Sequence, residues 1–283
     1  GLYVVADGMG GHRGGEVASA EAVAAMLAVF DRRDRAGLVA AVRSANRTIL
    51  EKTVTRPDLS GMGTTLCALA VVSSASGDEV LAVANIGDSR VYRFAAGELV
   101  QVSDDHSLVA DLMRAGELSA EEAAQHPQRN ILTRALGIEA DPVIDSWEIE
   151  PVLGDRYLLC SDGLFNELDD GRLAEVLAAG TVQESADLLV DEAVENGGHD
   201  NVTVLVIEVV AGPEAREGRR SAVPAARSER STHVRGVAEK GRIAFGTALA
   251  MAACVVATAV LVLGMYARQG WFIGSDDGDV AVF

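Results

Sequence analysis

Three aspartates stand where a short apolar run meets a turn. Asp7 closes Leu2–Ala6, Asp162 follows Tyr157–Cys160 in Cys160-Ser161-Asp162-Gly163, and Asp200 opens Val202–Val210 in His199-Asp200-Asn201. An Asp-Gly or Asp-Asn pair beside a strand is usually only a turn or a cap. The conjunction says more. Strand ends meet at one edge of a sheet, and three carboxylates gathered there repel one another unless a cation sits between them. Carboxylate-rich, all-oxygen sites suit Mg²⁺ or Mn²⁺. A carboxylate shared by two such ions holds both, and the water between them is acidified into a nucleophile at neutral pH. Asp7 also begins the run Asp7-Gly8-Met9-Gly10-Gly11-His12, whose glycines allow close backbone approach, so that the Gly8 carbonyl is a candidate metal ligand.

The elements that must position these residues follow from hydrophobic period and turn chemistry. Leu2–Ala6 is apolar throughout, as in a buried strand covered on both faces and paired on both edges. Helices are expected over 16–30, with Val23, Met26, Leu27 and Phe30 on one face, and over 38–54, stopped by Pro57. Strands are expected over 64–73, 79–86, 90–94 and 98–102, separated by Gly77-Asp78, Gly87-Asp88 and Ala96-Gly97, which reads as a β-meander. Residues 103–142 are more polar, with short helical stretches at 107–115 and 119–124, and read as a flap over one end of the sheet. Strands return at 143–149 and 155–160, then helices at 169–179 and 182–196, then a strand at 202–210. Blocks of strands and helices without strict alternation give an α+β class: a central β-sandwich of two antiparallel sheets flanked by helices.

Seven motifs occur in order: Asp7-Gly8-Met9-Gly10-Gly11-His12, Gly61-Met62-Gly63-Thr64-Thr65, Ile86-Gly87-Asp88-Ser89-Arg90, Asp104-Asp105-His106-Ser107, His126-Pro127, Ser161-Asp162-Gly163 and Asp200-Asn201. Together they resemble the metal-dependent protein serine/threonine phosphatases, the type 2C or PPM family. In particular they resemble membrane-anchored actinobacterial members that oppose transmembrane serine/threonine kinases. The resemblance covers nearly all of residues 1–210. It implies hydrolysis of phosphoserine and phosphothreonine by a water bridging two Mn²⁺ or Mg²⁺ ions. Asp7 would bridge the ions, the Gly8 carbonyl would ligate one, and Asp162 and Asp200 would hold the other. Asp88, which alone reads as a turn residue, falls where bacterial members bind a third ion, and Asn130 falls near a further ligand of that ion. Met9 stands where some members carry a histidine proposed as general acid. Members also have an upstream strand with a phosphate-binding arginine and a Glu-Asp pair near the metals. Such a segment is expected ahead of Gly1, because Arg13 and Arg90 sit in a loop and a turn without clear aim at the site.

Other phosphate chemistries fit less well. A haloacid-dehalogenase-type site needs a second aspartate where Met9 stands, and a receiver domain needs a strand-end lysine, whereas Lys52 lies in an expected helix and Lys240 far downstream. The alternative from another class is a catalytically dead, membrane-tethered phosphopeptide-binding or regulatory module. The presence of all three strand-end aspartates argues against it, since a binder needs no activated water.

Composition sets the outer frame. The chain has 283 residues, 49% hydrophobic and 23% charged, with a net charge of −18 that argues against nucleic acid as partner. Cys67, Cys160 and Cys254 are too dispersed for a disulfide framework or a thiolate zinc site. Residues 1–210 carry a net −20 and residues 211–242 a net +4. Residues 243–266 contain no charge at all. Twenty-four residues of helix reach roughly 36 Å, enough to cross a bilayer core of about 30 Å. Arg227, Arg230, Arg235, Lys240 and Arg242 precede this stretch, and Trp271, Phe272, Asp276, Asp277 and Asp279 follow it. The positive-inside rule then gives a cytoplasmic phosphatase domain over 1–210 and a basic flexible linker over 211–242. One transmembrane helix over 243–266 and a short external tail over 267–283 complete a single-pass protein of the cell membrane. The linker arginines have anionic inner-membrane lipid as a further partner. Phosphoproteins, among them a serine/threonine kinase and its targets, are the expected substrates.

Overall fold

The computed structural model describes residues 1–9, 12–213, 227–229, 273–276 and 279–282. One five-stranded and one four-stranded antiparallel sheet lie face to face. The first has the order β1 (Leu2–Val5), β4 (Leu66–Ser73), β5 (Glu79–Ile86), β8 (Ile144–Ile149) and β11 (Arg227–Glu229). The second has the order β10 (Val204–Glu208), β9 (Arg156–Cys160), β6 (Arg90–Ala95) and β7 (Glu98–Gln101). A two-stranded ladder of β2 (Gly8–Met9) and β3 (Gly63–Thr64) stands apart.

Period-two alternation within strands assigns every side chain to a layer. In β4, Leu66, Ala68, Ala70 and Val72 face the helices α1 (His12–Val29) and α2 (Arg35–Thr55), while Cys67 and Leu69 face the other sheet. In β9, Tyr157 and Leu159 point between the sheets, and Leu158 and Cys160 point to the opposite helical layer, α5 (Asp162–Phe165), α6 (Asp170–Leu177) and α7 (Val182–Asn196). These strands are covered on both faces, which is why they read as unbroken apolar runs. Cys67 and Cys160 are buried as free thiols. The four alanines 68, 70, 82 and 84 leave the helix-facing side of the first sheet shallow, so α2 lies against it through Leu38, Val42 and Ile49. Asp34 caps α2, its Oδ1 accepting the Gly37 N–H at 2.6 Å.

Several expectations are corrected. The buried stripe of α1 is Ala18, Ala22 and Met26, and Leu27 is 65% exposed. Close helix packing selected the face with the small side chains, not the face with the largest. The strands 64–102 are not one meander. β4 and β5 form a hairpin in the first sheet, β6 and β7 a hairpin in the second, and the chain crosses between sheets at Ile86–Arg90. The single stretch 64–73 breaks at Thr65 into β3 and β4. Strand β1 pairs with β4 alone among the described residues.

The flap over 103–142 carries α3 (Leu108–Arg114), capped by Ser107, and α4 (Ala120–Ala124), capped by a reciprocal Ser119–Glu122 box. Its return is anchored by buried Asn46 of α2, which accepts the Gly137 N–H at 2.8 Å and donates to Glu139 O at 2.8 Å. Leu136 exchanges backbone hydrogen bonds with Thr64 at 3.1 and 2.9 Å.

Residues 1–230 form one unit and 231–283 another. Three residues of the segment read as a linker, Arg227–Glu229, run as a strand beside β8. The second unit contains the hairpin β12 (Ile273–Asp276) and β13 (Asp279–Val282). No helix among the described residues is long and apolar enough to cross a membrane, and the stretch 243–266 lies outside them.

Candidate metal centre

The carboxylates come together at one end of the sandwich, between the two sheets rather than along one sheet edge. Asp7 leaves the end of β1 in the first sheet, and Asp88 lies on the crossing from β5 to β6. Asp162 follows β9, and Asp200 precedes β10, both in the second sheet. Each is fixed by its backbone. The Asp7 N–H donates to Thr65 Oγ1 at 3.0 Å, and the Asp7 carbonyl accepts from Thr64 Oγ1 at 2.8 Å and from Thr65 N at 2.8 Å. Gly8 is exposed, and a Cβ there would lie 2.1 Å from Gly15 O on α1, so only glycine lets this loop lie against the helix.

The Asp162 and Asp200 loops are stitched together. Ser161 Oγ donates to Asn201 O at 3.1 Å and accepts the Thr203 N–H at 3.0 Å. A Cβ at Gly163 would lie 2.4 Å from Asn201 O, so the two loops pack backbone to backbone. Glu167, at the foot of the α5 turn, accepts from His199 Nδ1 at 2.7 Å, one residue before Asp200. Asp200 itself is exposed, with its Oδ1 accepting the Asn201 N–H at 2.7 Å.

The electrostatics record the crowding. Burial, then the charges of Asp162 and Asp200, push the Asp7 carboxyl up to about 7. Burial, then Asp162 and Asp105, push Asp88 up to about 7. Asp162 is raised as well, by burial and then by Asp200. Among the described residues, none of Asp7, Asp88, Asp162 and Asp200 takes part in an ion pair. Asp162 Oδ2 accepts from Asn166 Nδ2 at 3.2 Å, but Oδ1 is buried with no donor. The Asp7 and Asp162 carboxyls lie close enough for each to bear on the other's proton affinity. Three partly buried acids and one exposed one, with no counter-charge among the described residues and one oxygen orphaned, form a donor set that fits a hard divalent cation. Among the described residues no three His, Cys, Asp or Glu side chains are closed into a ready-made cage.

The structure thus brings Asp7, Asp88, Asp162 and Asp200 into one electrostatic group, with the Gly8 backbone at its edge. Asn130 lies exposed in the turn after His126-Pro127, and makes no hydrogen bond to these carboxylates among the described residues. Arg90 is committed elsewhere. Its guanidinium forms a fork on Asp105 (2.7–3.1 Å), donates to Tyr92 Oη at 2.7 Å and stacks 3.6 Å over the Phe165 ring. The side chains of His12 and Arg13 lie outside the described ones. Sequence reasoning quoted Thr64, Thr65, Ser89 and His106 as parts of motifs but gave them no task. The structure uses Thr64 and Thr65 to hold Asp7, and Ser89 Oγ to meet Thr65 Oγ1 at 2.7 Å. Paired polar residues inside an otherwise apolar strand end were the available signal.

The chain is similar to several known proteins. Residues 1–195 match the family model for protein phosphatase 2C. The serine/threonine protein phosphatase PstP of Mycobacterium tuberculosis is 43% identical over 214 residues, covering 74% of this chain and 40% of that protein. The chain therefore spans less than half the length of that relative. The serine/threonine phosphatase stp of Listeria monocytogenes is 39% identical over 218 residues, covering 73% of this chain and 84% of that one. Among solved structures, the PPM Ser-Thr phosphatase MsPP of Mycobacterium smegmatis, in complex with cacodylate, superimposes with a TM-score of 0.67 at 42% identity, covering 74% of this chain and 88% of that one. The catalytic domain of PstP, in complex with two manganese ions, gives 0.64 at 41% identity over 74% and 88% of the two chains.

Proposed function

The chain belongs to the protein phosphatase 2C family, and from that premise we propose that it hydrolyses phosphoserine and phosphothreonine on proteins at the Asp7–Asp88–Asp162–Asp200 group, with Mn²⁺ or Mg²⁺. The observation that carries this reading is the crowding of Asp7, Asp88 and Asp162, each raised by burial and by neighbouring carboxylates, with Asp162 Oδ1 left unpartnered among the described residues. That Asp7 feels both Asp162 and Asp200 supports it as the shared ligand. The Gly8 carbonyl would stand beside it, Asp162 and Asp200 would hold one ion, and Asp88, with Asn130, would take a third. Bound there, divalent ions supply the positive charge for the substrate phosphate and the activated water for attack on phosphorus. Thr64 and Thr65 keep the Asp7 backbone still, and Ser161 and Gly163 hold the Asp162 and Asp200 loops at a fixed spacing. Met9, two residues after Asp7, offers no proton, so no imidazole serves the leaving oxygen from that position. The test is turnover of a phosphothreonine peptide by the full chain. Activity should vanish in EDTA and return with Mn²⁺ or Mg²⁺. Full activity in chelator, or recovery with zinc alone, would overturn the reading.

The same proposal places the enzyme on a membrane. The uncharged stretch 243–266, with its cationic flank before and acidic flank after, supports a single span with residues 1–242 in the cytoplasm. The substrates would be cytoplasmic phosphoproteins, a serine/threonine kinase and its targets among them, with the linker arginines against anionic lipid. A reporter that works only outside the cytoplasm, fused after Phe283, should be active. Activity of a cytoplasm-only reporter at that position would refute the orientation.

A further inference from the structure

Behind Asp88 stands a buried polar network that the reading above leaves without a task. His106, from the flap, is 1% exposed. Its Nδ1 lies 3.1 Å from the Gly87 N–H, and its own backbone N–H donates to Gly87 O at 3.0 Å. Asn85 Nδ2 donates to the same carbonyl at 3.3 Å. Both peptide groups flanking Gly87 are therefore held, and the second of them carries the Asp88 nitrogen. On the far side, Ser89 Oγ is held by Thr65 Oγ1 at 2.7 Å. Asp88 sits between two clamps.

The hydrogen bonds assign the imidazole its tautomer. A neutral ring has one N–H and one lone pair. Nδ1 receives a backbone N–H, so it carries the lone pair, and the proton resides on Nε2, 3.0 Å from Asp145 Oδ2. Arg134 Nη1 lies 3.1 Å from Nε2 and 3.2 Å from Asp145 Oδ1; with Nε2 already a donor, it donates to the carboxylate. Asp145 is 5% exposed and belongs to β8, the neighbour of β5 in the first sheet. A carboxylate orienting an imidazole, which in turn fixes a candidate metal ligand, is the arrangement by which outer partners tune metal affinity. An apolar side chain could fill the same volume. It could not accept the Gly87 N–H, and the crossing would lose one of its clamps.

We propose that His106 is a positioning residue. Accepting the Gly87 N–H through Nδ1, with Asp145 and Arg134 fixing its tautomer, it holds the β5–β6 crossing so that the Asp88 carboxylate faces Asp162, and thereby sets divalent-ion binding at Asp88. The proposal rests on the reading of Asp88 as a ligand.

Two measurements test it, both on the full chain. The first needs no variant or metal: in chelated, ¹⁵N-labelled protein, a through-hydrogen-bond ¹⁵N–¹⁵N coupling should connect the Gly87 amide to His106 Nδ1. Its absence overturns the proposal alone. The second is Mn²⁺ titration by calorimetry and electron paramagnetic resonance. Asp88→Asn and His106→Gln should each weaken the weakest Mn²⁺ binding by about tenfold or more, the range seen when a group that orients a ligand is lost. His106→Asn, whose Oδ1 can take the same N–H, should stay within about threefold of the parent. The double variant Asp88→Asn/His106→Gln should bind no more weakly than Asp88→Asn, because both act through one element. Parent-like Mn²⁺ binding by His106→Gln, alongside impaired Asp88→Asn, overturns the proposal. Parent-like binding by Asp88→Asn overturns the ligand reading and this proposal with it.

Discussion

In the absence of metal, Asp7→Asn should make the protein more stable at pH 8, although it removes the central residue of the proposed site. The Asp7 carboxyl is raised from 3.8 to about 7, first by burial and then by Asp162 and Asp200. Between those values the folded chain holds a proton that the unfolded chain releases. The contribution of Asp7 to stability is therefore fully present below about pH 4, falls as pH rises, and levels off above about 7. A shift of roughly three units corresponds to about 4 kcal/mol at most. Asp7 is only half-buried, so solvent screening reduces this to roughly 2 kcal/mol. Asparagine escapes the penalty. In EDTA at pH 8, Asp7→Asn should melt higher by about 4–8 °C, the shift expected for roughly 2 kcal/mol in a domain of this size. The gap should close toward pH 4. Adding Mn²⁺ should reverse the order, because the parent gains binding free energy that the variant cannot. Melting curves followed by circular dichroism across pH 4–8, with EDTA or with Mn²⁺, read all of this. An Asp7→Asn protein less stable than the parent at pH 8 in chelator would refute the account of an uncompensated acidic group. So would an equal Mn²⁺-induced rise in both proteins.

Asp162→Asn or Asp200→Asn should lower kcat on a phosphopeptide by on the order of 10² or more while the circular dichroism spectrum stays native. A well-folded Asp162→Asn protein with unchanged kcat would remove that residue from the site. Arg90→Met should destabilise by about 2–4 kcal/mol, because it strands the half-buried Asp105 and removes the cation from the Phe165 face. Denaturant unfolding checks this, and a change below about 0.5 kcal/mol would mean the pair is solvated like an ordinary surface ion pair. Leu69→Ala, in the fully buried layer between the sheets, should cost about 2–5 kcal/mol, and a near-neutral result in the same assay would place that layer elsewhere.

The α+β class was legible because its strands are buried on both faces. Glu79–Ile86 and Val182–Asn196 run as read, bounded by turn and cap residues whose chemistry is local. What was not legible is which sheet a strand joins. A hairpin turn and a sheet-to-sheet crossing can use the same few residues, and Gly87-Asp88 looks like Gly77-Asp78 or Ala96-Gly97 on the page. Only the pairing of β5 with β4 and β8, and of β6 with β7 and β9, separates them. The face of α1 was missed for a related reason. Counting large apolar residues favours Leu27, whereas close helix packing favours Ala18 and Ala22.

The same ambiguity governed the site. Asp7, Asp162 and Asp200 could be singled out because each touches an apolar run, a pattern that survives ignorance of topology. Asp88 was reached only through the family resemblance, since from its own pattern it reads as a turn and its importance lies in the crossing. A strand-to-strand turn within one sheet would have left it at the rim, in water. A crossing between sheets carries it into the gap where Asp7 arrives from one side and Asp162 from the other, and that passage is what raises its carboxyl to about 7. The residues that hold the crossing come from still farther apart: Thr65 from the break between β3 and β4, His106 and Arg134 from the flap, Asp145 from β8. No spacing rule links positions 65, 88, 106 and 145. They are joined by the antiparallel register that sets Asn85 opposite both Cys67 and Asp145, so that the ends of β4, β5 and β8 arrive at one place. Carboxylates at such a place can be read from strand ends, but the polar groups that aim them follow only from the pairing of the strands.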